Sequence, residues 1–227
     1  MNARLTMPHR SRRLVVAGLA LALAGCGSNA AASPSPRQTP NVFTPPTQGP
    51  ELALHWPAPA DAMALTVEAG LVPDPKEYTN NHAHSHLDVF IDGRPILVPA
   101  GIGINIEDPG VTKFDDAAGV GYGNIQLCAQ PCISPLHTHD PDGIIHTESK
   151  TPEALTLGQF FTEWAVELSG TCVGEFCSPE KPVAFYVNGA PYTGDPGAIE
   201  LTDLKVIVIV IGTPPSEIPS TADFSGP

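Results

Sequence analysis

Near the end of the chain, Lys205–Ile211 reads Lys-Val-Ile-Val-Ile-Val-Ile. β-branched side chains in succession are stiff about χ1 and suit a pleated strand better than a helix. The run shows none of the polar alternation of a strand with one wet face. It predicts a central strand buried on both sides, so the rest of the fold must build a sheet around it. It is also far shorter than the roughly 20 residues that span a bilayer.

Other strand signals precede it. Leu87–Ile91 leads into Asp92-Gly93, and Pro95–Val98 follows. Asp-Gly between apolar runs marks a two-residue hairpin. Phe185–Tyr192 can be laid over Val89–Ile96 with the aromatic, the turn glycine and the proline in register. Either two hairpins of similar turn chemistry or an internal duplication accounts for that match. One helix is signalled by the capping-box pattern Thr156-x-x-Gln159. Leu157, Phe160, Phe161, Trp164, Ala165 and Leu168 then form one apolar stripe, and Ser169-Gly170 ends it. Phe161 and Trp164 read as core. The expected fold is an α+β domain, mostly antiparallel β hairpins and sheet, with one main amphipathic helix at about 157–168.

Six of the eight histidines fall into two short segments. One is His82-Ala83-His84-Ser85-His86. The other is His137-Thr138-His139-Asp140, followed by His146 and Glu148. Residues two apart on a strand share a face, so each segment aims several imidazoles one way, and neutral imidazole is a common metal ligand. If the strand at 87–91 already runs at 82, its histidines share a face with Asp88 and Phe90, opposite Leu87, Val89 and Ile91. In the second segment the turn at Asp140–Gly143 decides the outcome. A two-residue loop puts His137 opposite His146 and gathers His137, His139, His146 and Glu148 on one face. A type I turn with a glycine bulge slips the register and turns His146 away.

A metal site can be built from either segment or from both together. Imidazole sites without thiolate suit copper, zinc or nickel, and an adjacent carboxylate extends the range to iron or manganese. Copper and zinc lead as expected cofactors. Asp140 and Glu148 stand as ligands or as acceptors for a ligand's other ring N–H. Histidines that only satisfy local hydrogen bonds are the bland alternative.

The amino terminus has a basic segment with Arg4, Arg10, Arg12 and Arg13, then an apolar stretch Leu14–Ala24 ending in Leu23-Ala24-Gly25-Cys26. This resembles the signal and lipobox of bacterial lipoproteins. The resemblance implies cleavage before Cys26, lipidation of that cysteine (palmitate among the acyl groups), and anchoring at the extracytoplasmic face of the cell membrane. Ser11–Val15 also resembles a twin-arginine export signal, with an ordinary Sec leader as the alternative. The organisation then reads as signal peptide 1–25, lipidated cysteine and Pro/Ser-rich tether 26–60, one domain at 61–212, and a disordered tail at 213–227. Removing the leader leaves 7 Lys+Arg against 24 Asp+Glu, a formal charge near −17. Such a surface repels nucleic acid and anionic head groups and attracts cations.

Cys128, Cys132, Cys172 and Cys177 remain. An even number in an exported chain suggests two disulfides. Three pairings exist, with the two local ones favoured. A reduced Cys132 would instead be a soft copper ligand.

The segments His137-Thr138-His139-Asp140-x-x-Gly143-Ile144-Ile145-His146-x-Glu148 and Leu157-Gly158-Gln159-Phe160-Phe161 resemble those of a group of uncharacterised exported bacterial and archaeal proteins. Those also share a histidine-bearing strand before a D-G hairpin and a late V-N-G hairpin. The resemblance covers roughly residues 82–212. It implies that these segments form one domain and carries no activity with it. Three functions stay open: a lipoprotein that captures, buffers or delivers a metal, with an envelope protein as partner; an envelope metalloenzyme with an open site; and a lipoprotein for interactions without metal.

Overall fold

Two turns with positive backbone φ fold the sheet on either side of its central strand. A computed structural model describes residues 53–115 and 119–224. In chain order its strands are β1 (Ala53–Leu54), β2 (Asn81–Ile91), β3 (Arg94–Leu97), β4 (Thr112–Asp115), β5 (Val120–Gly123), β6 (Leu136–His137), β7 (Ile144–Ser149), β8 (Cys172–Val173), β9 (Phe176–Cys177), β10 (Val183–Val187), β11 (Ala190–Tyr192) and β12 (Lys205–Ile211). The helices are α1 (Ala62–Glu68) and α2 (Leu157–Glu163). The leader, Cys26 and most of the expected tether lie outside the described residues.

β12 is central, as its composition requires. It runs parallel to β2 and antiparallel to β10. Asp92-Gly93 turns β2 into β3 with φ of 49° and 76°, and Asn188-Gly189 turns β10 into β11 with 50° and 77°. These are the left-handed conformations that Asp-Gly and Asn-Gly supply in two-residue hairpins. The main sheet is mixed, ordered β1-β3-β2-β12-β10-β11. Its parallel pairs are β2–β12 and β1–β3.

β2 is the longest strand, and its edges are shared. One edge carries β12. The other pairs first with β7, over residues 81–86, and then with β3, over 89–91. β6 extends the sheet beyond β7. The two faces of this sheet are covered differently. Leu87, Val89, Ile207, Ile209 and Ile211 join Phe160, Phe161 and Trp164 of the α2 region in the main core. On the opposite face Val206, Val208 and Val210 pack with Phe90, Tyr186, Ile218 and Phe224. Residues 213–224 form no helix or strand, yet they are not a free tail: they cover these valines. Likewise β1 and Trp56, expected within the tether, belong to the fold. The Trp164 indole N–H donates to the Trp56 carbonyl at 3.1 Å.

α2 begins where the capping box places it, with Thr156 and Gln159 bonded reciprocally. It ends earlier than its apolar stripe. Ala165 has φ 57° and is exposed, while Val166 turns back into the core. Trp164 and Ala165 therefore lie in a turn, and Leu168, the last of the stripe, forms a β-bridge with Val173 instead of a third helical turn. α1 carried no clear signal and packs against α2. Both cysteine pairs are local, Cys128–Cys132 and Cys172–Cys177.

α2 also buries a charge-capable group. Glu163 is fully buried. Burial pushes its carboxyl up to about 8, against the opposing influence of the Ser134 and Thr66 hydroxyls. The folded chain therefore holds a proton that the unfolded chain releases above about 4.5. This contribution is full below that pH and is lost as the pH rises through about 8. Glu163→Gln, which cannot ionise, is expected to raise stability near pH 7 by roughly 1–3 kcal/mol and by less at pH about 4, read by urea unfolding at both values.

Candidate metal centre

Six histidines reach one face of the sheet because β2, β7 and β6 lie side by side in matching register. His84 stands directly across from His146, and His146 directly across from His137. Two residues along, His82 faces Glu148. The turn after His139 takes the register that keeps His146 on the shared face. Gly143 has φ 87°, and Asp142 Oδ1 accepts from Ile144 N at 2.9 Å. β2 runs from residue 81, so its histidines alternate with core-facing Ser85, Leu87 and Val89.

Four donor groups converge in the buried half of this face. His137, His139, His146 and Glu148 each offer a ligand atom, all within 4.8 Å of one another, and all four residues are buried. Two are held by backbone carbonyls. His137 Nδ1 donates to Ser134 O at 2.9 Å, and His139 Nδ1 to Tyr122 O at 2.6 Å. A carbonyl only accepts, so each Nδ1 carries a proton, and in the neutral ring Nε2 presents its lone pair. Those two Nε2 atoms face each other at 3.2 Å. Two lone pairs so placed repel unless a cation lies between them. Anchoring of a ligand's other nitrogen is also how proteins fix tautomer and ring direction at metal sites.

Burial works against a proton on His137 or His146 in that role. Burial, reinforced by His139, drives His137 well below the ordinary histidine range despite Glu148. Burial likewise brings His146 to about 4, against the pull of Glu148. For Glu148, burial acts upward, but the His146 contact and the fields of His137 and His146 outweigh it and bring the carboxyl to about 2. Among the described residues, His146 Nδ1 and Glu148 Oε2 are buried without a hydrogen-bond partner. Neutral imidazoles beside a carboxylate suit a metal cation.

The neighbourhood includes groups that no motif announced. Glu77 Oε1 lies 3.8 Å from His139 Nε2. Burial raises the Glu77 carboxyl, offset in part by His139. Glu77, Phe114, Gly123, His82, His139 and Glu148 border a cleft of about 470 Å³. The segment Gly101–Ile104 passes behind His137. Gly103 has φ 69°, and a Cβ there would overlap the carbonyl oxygen of Leu136. That close approach lets Gly103 O accept from Ser134 N at 2.8 Å and so steadies the carbonyl that orients His137.

The remaining sequence candidates fall elsewhere. His82 and His84 form a second group with His146. His86 is on the same face but belongs to neither group. Its Nε2 donates to Asp142 O at 3.0 Å, and its ring lies 6.4 Å from Phe224. Asp140 is buried beside Gly121 and is outside both groups. Cys132 is bonded to Cys128, which removes it as a thiolate ligand.

No family model, curated protein or solved structure matches the chain.

Acid should destabilise the metal-free protein early. His146 binds a proton at about 4 when folded and at 6.5 when unfolded, so its contribution falls as the pH drops from 6.5 toward 4. Glu148, depressed from 4.5 to about 2, adds a loss of the same sign below 4.5. In the Glu163→Gln background, which removes the opposing titration of Glu163, the unfolding midpoint of metal-free protein is expected to fall between pH 6.5 and 4. His146→Asn should flatten that slope, as followed by thermal denaturation across the range.

Proposed function

We propose that this chain is a lipid-anchored, extracytoplasmic protein that binds copper or zinc through clustered histidines and serves metal capture, buffering or delivery. The observation that carries the reading is the pair of backbone-anchored imidazoles, His137 and His139, whose Nε2 atoms face each other beside His146 and Glu148. Three imidazoles and one carboxylate make a four-donor set suited to zinc or copper(II), and to iron or manganese as less favoured occupants. The lipobox-like segment ending at Cys26 supports anchoring through lipid. Two local disulfides fit an oxidising compartment. The chain's formal charge of −13 disfavours nucleic acid as a partner. The membrane, the metal ion and an envelope protein that receives or supplies it are the partners of this reading.

A second reading, an envelope metalloenzyme, draws on the cleft of about 470 Å³ that reaches His139, His146 and Glu148. A substrate in that cleft would approach the ion directly, with Glu77 at its wall. A lipoprotein without metal is the third reading, and it leaves the facing Nε2 lone pairs uncompensated.

Metal content separates the two metal readings from the third. The mature chain from residue 27, exported without lipid and without a histidine tag, is expected to carry about one equivalent of copper or zinc by mass spectrometry. His139→Ala should lower that affinity by at least about tenfold, with a near-native unfolding curve. No metal as purified, and no thermal stabilisation on adding copper or zinc, would leave the non-metal reading.

A further inference from the structure

The second histidine group shares a ring with the first. His82, His84 and His146 offer ligand atoms within 4.8 Å of one another, and His146 also belongs to the buried quartet. The two groups differ sharply in exposure. The His82 side chain is 40% exposed and the His146 side chain 5%. His82 Nε2 lies 2.8 Å from His84 Nε2 and 3.3 Å from Glu148 Oε1. The same carboxylate oxygen is 3.5 Å from His146 Nδ1. Donors therefore run without a break from the surface to the buried quartet, with His146 and Glu148 between.

A second opening meets this outer group. A cleft of about 550 Å³ is lined by His82 together with Glu153, Glu200 and Asp203. Asp203 Oδ1 also accepts from His84 N at 3.3 Å. His82 borders both clefts. Acidic walls raise the local concentration of cations and their association rate. A strongly hydrated ion that enters a buried site must shed its water in stages, and a half-exposed imidazole pair supplies the first replacement ligands.

We infer that His82, His84 and His146 form a solvent-facing loading position, where a divalent copper or zinc ion is first taken before passing through the shared His146 to the buried quartet. This rests on the metal-binding reading. A neutral imidazole presents one lone pair, so His146 serves one position at a time and a single ion is held.

Stopped-flow uptake of zinc by the metal-free mature chain tests this, with competition against a chromophoric chelator. His82→Ala/His84→Ala changes exposed or half-exposed residues, so the fold is expected to survive, as checked by circular dichroism. Its loading should slow by at least about tenfold while the end-point stays at one equivalent. His139→Ala, with the outer trio intact, should still take one zinc ion more weakly, and the triple variant His82→Ala/His84→Ala/His139→Ala should lose it. Wild-type loading in the outer double variant overturns the loading position and leaves the metal-binding reading standing. So does failure of the triple variant to lose zinc, or two equivalents bound by the wild type. No uptake by the wild type overturns both.

Discussion

The pairing of β2 with β7 governs both the core and the histidine face. Side chains alternate along a strand, so a slip of one residue would exchange the two faces. Ser85 and Leu87 would turn outward, and His82 and His84 would be pressed against the α2 side. The observed register avoids this because each neighbouring strand has its own apolar alternation to satisfy. Ile145 and Leu136 bury on the α2 side, which leaves His146 and His137 on the other. β12, apolar after Lys205, fixes the far edge of β2 through seven paired residues. The donor cluster is thus a by-product of core packing: once the apolar residues are buried, the imidazoles have one place to go.

That dependence explains what was legible in the sequence. The strand signals were local and strong, so β12, both Asp/Asn-Gly hairpins and the start of α2 lie where their residues indicate. The end of α2 did not follow its periodicity. Ala165 adopts a left-handed conformation, and burying Val166 outweighs another helical turn. α1 and β1 carry little intrinsic signal and are held by contacts with distant segments. At the site, the spacing of His137, His139, His146 and Glu148 allowed two registers, and only the pairing of β7 with β2 on one edge and β6 on the other selects between them. Glu77 and the carbonyls of Ser134 and Tyr122 have no sequence signature, because backbone acceptors and residues brought in by loops depend on tertiary structure alone.

The centre is also a local conflict between solvation and coordination. Burying three imidazoles beside a carboxylate strips them of water, and a low-dielectric setting makes incompletely partnered polar atoms costly. Folded structure meets part of this cost through the anchoring carbonyls, but His146 and Glu148 remain short of partners among the described residues. Such conflict concentrates at functional positions, where local choices depart from what the fold alone would favour. Elsewhere on the same face, Val206, Val208 and Val210 show no such tension.

The segment 213–224 divides that face into two territories. Ile218, Ala222 and Phe224 pack over the valines, and at the Phe224–His86 contact the polar half begins. The segment therefore acts as a watershed: its apolar side chains, rather than the sheet beneath them, set how much of the face meets solvent. A shortened relative would trade a sealed apolar strip for an adhesive one without altering a single histidine.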